Sequence, residues 1–489
     1  MPRAGWRKPE SDRRLSDLVS VGVLTRVFPP DLVDEVIAGT GRTEQRHRAL
    51  PARVMAYFAI GMALSAEGSY EDVLSQLTDG LAWSSGWEES YRLPSKSAIF
   101  QARQRLGPEP MAALFARVAR PIGTDAPAGG WLAGRRMVAV DGTCLDVADT
   151  VDNAEFFGRP GVSKGERAAF PQTRMVALAE CGTHAVFAAE IGKYSQSEAT
   201  LTGPLLDRLE PGMLLMADRG YFSYALWRTA IATGADLLWR VSPDRSGPKP
   251  VHAGDLPDGS WLAHLRRSTP ASARNEDPML VRVVDYAIDD GRENPTTYRL
   301  LTTLLDPAEA TATDLAAAYA QRWEIESTFD ELKTHQRGPR TVLRSKSPDL
   351  VLQEIWGHLC CHYAIRSLMA QAAAHSGHDP DRVSFVAALR ITRQTLAHPG
   401  AFPPCPPRPR PPKLAVLPPT PPRTPQPRPT ATLRTTSHQA QDAQMERQAR
   451  SPRRLAPTPA PARIQHLPLK LNGIAASPRI SSRYFVTQA

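Results

Sequence analysis

Tyr319, Arg322, Glu326 and Lys333 are spaced by three, four and seven residues. No Gly or Pro interrupts residues 308–337, so the stretch is expected to be helical. At about 100° per residue, all four side chains fall within an arc of about 60°. A core-facing stripe at that spacing would be apolar. An aromatic hydroxyl, a guanidinium, a carboxylate and an ammonium suit a solvated, salt-bridged face. Taken alone, a solvated face is the commoner case, though a guanidinium also suits bidentate phosphate contact and an ammonium acts as a point charge. The rest of the chain has to decide.

Two more carboxylates bear on that choice. Met137-Val-Ala-Val-Asp141 and Met213-Leu-Leu-Met-Ala-Asp218 are short apolar runs that each end in Asp. Both read as buried strands. A carboxylate at a strand end emerges at the rim of a sheet, where a rigid metal site can be built. Asp141, Asp218 and Glu326 are separated by 77 and 108 residues. Hard cations such as Mg²⁺ take oxygen ligands. Two such ions about 4 Å apart can clamp the attacking and leaving oxygens of a phosphoryl displacement. Each Asp alone is also ordinary turn punctuation; the combination with the helix face carries the reading. Asp146 and Asp149 lie beyond the first strand end. Relative to Glu326, Glu324, Asp330 and Glu331 project at about −200°, +40° and +140°, so Asp330 is the only close rival.

The elements that must position these groups follow from the pattern. Helices are expected over Leu15–Phe28, from Pro30, over Leu50–Ala66, Tyr70–Leu81, Ala98–Leu106 (capped by Ser95 or Ser97) and Pro108–Val118. Lys96, Arg103 and Arg105 fit a helix-turn-helix reader of DNA, or a plain bundle with a basic face. Strands are expected over Met137–Asp141, Thr173–Cys181, His184–Ile191, Met213–Asp218 and Ala235–Val241, with helices at Thr200–Leu209 and Ser223–Thr233. His184 falls in a turn and reads as a surface residue. Ser242–Pro295 is turn-rich, with strands at Trp261–Leu265, Met279–Ile288 and then Thr297–Leu305. Leu350–Ala374 and Arg382–Leu396 read as helices. His358, Cys361 and His362 share a helix face as three possible zinc ligands, or simply as part of a packed apolar helix.

Composition limits the alternatives. The chain has 489 residues and a formal charge of +9. Residues 401–489 hold 14 Lys+Arg against 2 Asp+Glu, which leaves the first 400 at −3. A nucleic-acid surface in the folded part is therefore a local patch. The five cysteines lack Cys-x-x-Cys spacing, as in a reduced cytosolic protein. The longest apolar run, Val54–Leu64, is too short to span a bilayer. Twenty of the 46 prolines lie in 401–489. That tail reads as a basic disordered segment able to hold nucleic acid weakly, or as a shifted reading frame in GC-rich DNA.

Asp141-Gly-Thr, Asp218-Arg-Gly-Tyr and Tyr-x2-Arg-x3-Glu-x6-Lys, in this order, resemble the DDE transposases of the insertion-sequence-four family. The resemblance covers about residues 13–396. It implies a ribonuclease H-like α/β core: a mixed sheet flanked by helices, with an all-helical N-terminal domain and a β-rich insertion. The expected layout is a DNA-binding domain at 13–125, a core at 130–242 and 306–398, an insertion at 243–305 and a tail at 399–489. The resemblance also implies that Asp141, Asp218 and Glu326 hold two Mg²⁺, with Mn²⁺ expected to substitute. Tyr319, Arg322 and Lys333 would grip DNA phosphates, and Arg219 and Tyr221 the same strand. Trp239, Trp261, Tyr286 and Trp323 are candidates to hold a flipped base. Lys96 and Arg103 are further DNA contacts. The implied activity is cut-and-paste transposition on double-stranded DNA, both transposon ends and target, by a homodimer in a bacterial, nucleoid-associated setting. A nuclease of the same fold without strand transfer, or a non-catalytic DNA-binding copy, are the alternatives.

Overall fold

The computed structural model describes residues 26–396 except 46–49, 66–67, 85–93, 125–128, 162–168, 244–246, 267–277, 290–295, 339–341 and 378, together with 463–466. The chain divides into two compact units, one drawn from 1–239 and 317–420, the other from 240–316 and 421–489.

The first unit begins with helices α1 (Pro30–Gly39), α2 (Ala52–Leu64), α3 (Tyr70–Ser84), α4 (Lys96–Leu106) and α5 (Glu109–Val118). The helix expected over Leu15–Phe28 lies almost wholly outside the described residues. Pro30 stands at the start of α1, and Ser95 rather than Ser97 caps α4 by accepting from the Ala98 N–H at 3.4 Å. Every residue of α2 from Val54 to Leu64 is buried. That apolar run is thus a core helix, apolar on all sides because protein surrounds it.

The sheet of this unit contains β1 (Trp131–Leu132), β2 (Arg135–Asp146), β3 (Gln172–Glu180), β4 (Val186–Lys193), β5 (Met213–Ala217) and β6 (Asp236–Val241), the last leading into the second unit. Its order is β4-β3-β2-β5-β6, with β1 beside β2. β2, β3 and β4 run antiparallel, while β5 and β6 run parallel to β2. Between them lie α6 (Val151–Phe157), α7 (Glu198–Thr202) and α8 (Tyr224–Ala232). This is the mixed, helix-flanked sheet that the sequence predicts.

One strand differs from expectation. β2 does not end at Asp141 but continues to Asp146, paired with β3 throughout. Its parallel pairing with β5, however, stops at Ala139 opposite Met216. Asp141 is therefore mid-strand toward β3 and at the rim toward β5.

The second unit is an antiparallel meander of β7 (Val251–Asp255), β8 (Trp261–Leu265), β9 (Met279–Asp289) and β10 (Thr296–Thr302). β7 lies in a stretch whose polar, turn-like composition concealed it. Fully buried Arg282 holds this unit together, bonding Asp258, Ser260 Oγ at 2.8 Å and the Ala310 carbonyl at 2.7 Å. Of the expected tail, only Arg463–His466 (β11) is described. It pairs antiparallel with β9, with Ile464 opposite Ile288. The remainder of that expectation lies outside the described residues.

The predicted Gly- and Pro-free helix is a composite. It runs as α9 (Ala312–Ala320), a 3₁₀ turn (Gln321–Trp323), α10 (Glu324–Asp330) and a π-turn (Glu331–Gln336). The long α11 (Pro348–Ser376) and α12 (Phe385–Leu396) follow.

Helices α1–α5 share the first unit with the sheet instead of forming a unit of their own. Arg103 shows why. It is fully buried and donates to Gln353 Oε1 at 2.8 Å, the Tyr70 hydroxyl, Ser345 Oγ at 3.1 Å and the Leu350 carbonyl at 3.1 Å. Its guanidinium is used inside the protein, tying α4 to α11, and is not presented to DNA as expected. Arg103→Met should destabilise the fold by at least about 2 kcal/mol, because several buried acceptors lose their donor. Urea denaturation would measure this, and DNA affinity of the folded fraction should stay unchanged. At the crossing of α11 and α2, a Cβ on Gly357 would lie 2.5 Å from the Ala59 carbonyl oxygen. Gly357→Ala should therefore lower the unfolding free energy from the same urea titration by about 1–3 kcal/mol, despite its better helix propensity.

Candidate active site

The register of β2 and β5 brings the first two carboxylates together. Arg136 faces Met213 and Ala139 faces Met216, a constant offset of 77 residues. The same offset carries Asp141 onto Asp218, just beyond the paired segment. Two apolar strands in parallel register thus deliver two acids side by side at the rim of the sheet.

The composite helix brings the third. Tyr319 is buried, and its hydroxyl donates to Asp218 Oδ1 at 3.3 Å. Arg322 is buried too, with Nη1 3.5 Å from Asp141 Oδ2 and Nη2 3.6 Å from Glu326 Oε1. Glu326 is 46% exposed, and Lys333 is exposed with Nζ 3.0 Å from Thr143 Oγ1 on β2. The face enters the protein at Tyr319 and Arg322 and leaves it at Lys333. It is not a solvated face, because its two N-terminal members are buried against aspartates. The 3₁₀ and π turns on either side of α10 change its pitch; π-turns often mark functional sites.

The rival acids are used elsewhere. Asp330 lies 3.4 Å from His335, Asp146 accepts from Gln172 at 2.7 Å, and Asp149 pairs with Arg159. Glu331 is buried and bound by Arg366 and by His362 at 3.0 Å. Burial opposes its charge, but Arg366, His184 and His362 together hold it well below the usual carboxylate range.

The electrostatics at the three acids suit a cation. Burial pushes Asp141 up to about 7 against the opposing Arg322 guanidinium and Gly142 N–H, and the charges of Glu198 and Glu326 add to the rise. Burial would lower Arg322, yet Tyr319, Asp141, Asp218 and Glu326 hold its guanidinium protonated. Three carboxylates face one guanidinium, so when all three are ionised Arg322 balances only one of them. The donors are all oxygen, as hard divalent cations require. The residues present therefore fit a divalent cation.

Other expected contacts are scattered. Arg219 and Lys96 are exposed, whereas Tyr221 is buried beside Glu198. Trp239 and Tyr286 are buried, the latter stacked on Tyr298 at 5.2 Å; Trp261 is half-buried against His252; Trp323 is 41% exposed. Trp239 and Tyr286 are thus core aromatics with no face free for a base. His358, Cys361 and His362 do not converge. His358 meets Gln336, and His362 meets Glu331, as a packed helix requires.

His184 corrects the sequence reading. It adopts a left-handed φ of 56° and lies among Glu324, Glu331, Asp381 and Arg366. A turn histidine carries no signal of such company, because its partners come from elements 140 or more residues away. Glu198 was also missed. It packs on Gly142, next to Asp141, from a helix start that reads as ordinary capping sequence.

Comparison with known proteins shows the family. The family described as the insertion element 4 transposase N-terminal region matches residues 18–116, and the transposase DDE domain matches 132–364, a span that includes all three acids. Transposase InsG for insertion sequence element IS4 of Escherichia coli (strain K12) is 30% identical over 380 residues, covering 76% of this chain and 84% of that protein. Putative transposase InsZ of the same organism is 24% identical over 229 residues, covering 47% of this chain and 74% of that protein. With both family models matched and a relative of this identity covered along most of its length, the chain belongs to the DDE transposases of the insertion-sequence-four family.

Proposed function

We propose that this transposase cleaves DNA at transposon ends and joins the freed 3′-hydroxyl to target DNA, using Asp141, Asp218 and Glu326 as ligands for two Mg²⁺ ions. The carrying observation is the parallel register that sets Asp141 beside Asp218, with Arg322 drawing Glu326 to the same place. The bound ions would supply charge neutralisation for the attacking and leaving oxygens. The chain's own residues do the rest. Tyr319 orients Asp218 through its hydroxyl, and the rigid fork of Arg322 spans Asp141 and Glu326. Because both are buried on carboxylates, their first role is to position the acids. Lys333 lies exposed with donors to spare after Thr143, so it is the member of the four best placed for a DNA phosphate. Arg219, beside Asp218, and Trp323 and Lys96, all exposed, are further DNA contacts in this reading.

The substrates are double-stranded transposon ends and target DNA, and pairing two ends calls for a homodimer. Among the described residues, no helix is long and apolar enough to cross a membrane.

The reading is tested with a labelled end fragment and Mg²⁺. Wild type should nick the end and transfer it into plasmid DNA, and Asp218→Ala should do neither. Equal products from both proteins, or none from either, would sink the catalytic assignment, while cutting without transfer would leave a nuclease. Glu326→Ala should give no detectable cleavage yet retain end binding in a gel-shift assay. Arg322→Lys keeps the charge but loses the fork. It should slow cleavage about 10²-fold through misplaced carboxylates, while Lys333→Ala should chiefly weaken end binding and lessen its salt dependence.

A further inference from the structure

Gly142 follows Asp141, and its backbone is not in the left-handed region that favours glycine. The reason for a glycine there is space. A Cβ at this position would lie 2.5 Å from Glu198 Cδ, 2.6 Å from Cγ and 2.7 Å from Oε1. The carboxylate of Glu198 fills the place that any other residue's side chain would take.

Glu198 is held there firmly. It is the first residue of α7, whose cap Ser197 accepts from the Thr200 N–H at 3.1 Å. The short helix packs on β2 and on the turn Arg219–Tyr221 that follows Asp218. Glu198 thereby touches the chain next to both aspartates.

Among the described residues, no Lys or Arg forms an ion pair with Glu198. A carboxylate next to a shielded carboxylate is unfavourable unless something positive joins them. Tyr221 adds an independent sign. It is 2% exposed, and its hydroxyl lies against the Glu198 carboxylate and near Asp141 without full hydrogen-bond geometry to either. A buried hydroxyl without full hydrogen-bond geometry, at the edge of an acidic site, fits a place for one more polar group, such as the water of a hydrated ion donating to it.

We infer that Glu198 is a fourth acidic residue of the active site, an oxygen donor toward the divalent cation held at Asp141. The inference rests on the reading of Asp141 as a cation ligand. In it, Gly142 is the steric condition for Glu198 to reach the site, and the Tyr221 hydroxyl is an acceptor for the ion's water.

The test is Mn²⁺ binding by the full-length chain without DNA, followed by electron paramagnetic resonance, beside thermal melting. Glu198→Gln should weaken Mn²⁺ binding about tenfold, in the range found for outer partners of metal sites, with an unchanged melting midpoint. Its end cleavage should fall at low Mg²⁺ and recover as Mg²⁺ is raised, which a merely structural defect would not do. Gly142→Ala should weaken Mn²⁺ binding similarly by displacing Glu198. Combined with Glu198→Ala, it should cost no more than Glu198→Ala alone. Glu198→Gln with wild-type Mn²⁺ affinity and Mg²⁺ dependence, or Gly142→Ala and Glu198→Ala effects that simply add, would overturn the inference. If Glu198→Gln unfolds, Gly142→Ala decides alone: wild-type Mn²⁺ affinity in that variant overturns it. Weakened Mn²⁺ binding in variants of a wild type that cuts no DNA would leave Glu198 as a ligand and remove the transposase reading instead.

Discussion

Like charges brought to one rim of the sheet are the constraint around which the first unit is built. The parallel pairing of β2 and β5 sets two aspartates side by side, and both strands are apolar so that this register is held by the core. An acid pair in such a place destabilises the fold unless it is balanced. Arg322 supplies one balancing charge, and it can do so only because the chain returns after the second unit to lay the composite helix across the rim. The remaining negative charge is the physical reason to expect divalent cations.

The helix that carries Arg322 is anchored on its other side. Glu331, in the π-turn, is buried against Arg366 and His362 of α11. Glu324, just before Glu326, accepts from the Gly182 N–H in the β3–β4 turn. Burial and Asp381 push Glu324 up to about 7, against His184 and that N–H. One helix thus presents Arg322 and Glu326 to the aspartates and Glu324 and Glu331 to a second, structural network. Alternate charged residues on the same segment do different work because they face different neighbours.

The same division explains which basic and aromatic side chains reach the surface. Lys96 and Arg103 were alike in sequence as basic residues of one helix. One is exposed, and the other is fully buried on α11, some 250 residues away in sequence. Tyr221 and Trp239 were read as possible DNA contacts, and both are core residues. A basic or aromatic side chain shows its chemistry in the sequence but not the direction it faces, since that depends on which distant element packs against it.

From local pattern alone one could read the helices, the apolar strands, the β-rich character of the insertion and the three acids. Period, capping and the Tyr-Arg-Glu-Lys spacing are short-range signals, carried by neighbouring residues. The extension of β2 past Asp141, the 3₁₀ and π turns around α10, the burial of Tyr319 and Arg322, and the approach of Glu198 to Gly142 were decided only by tertiary structure. Each arises where residues far apart in sequence compete for one volume or one charge, and no window of sequence contains both partners.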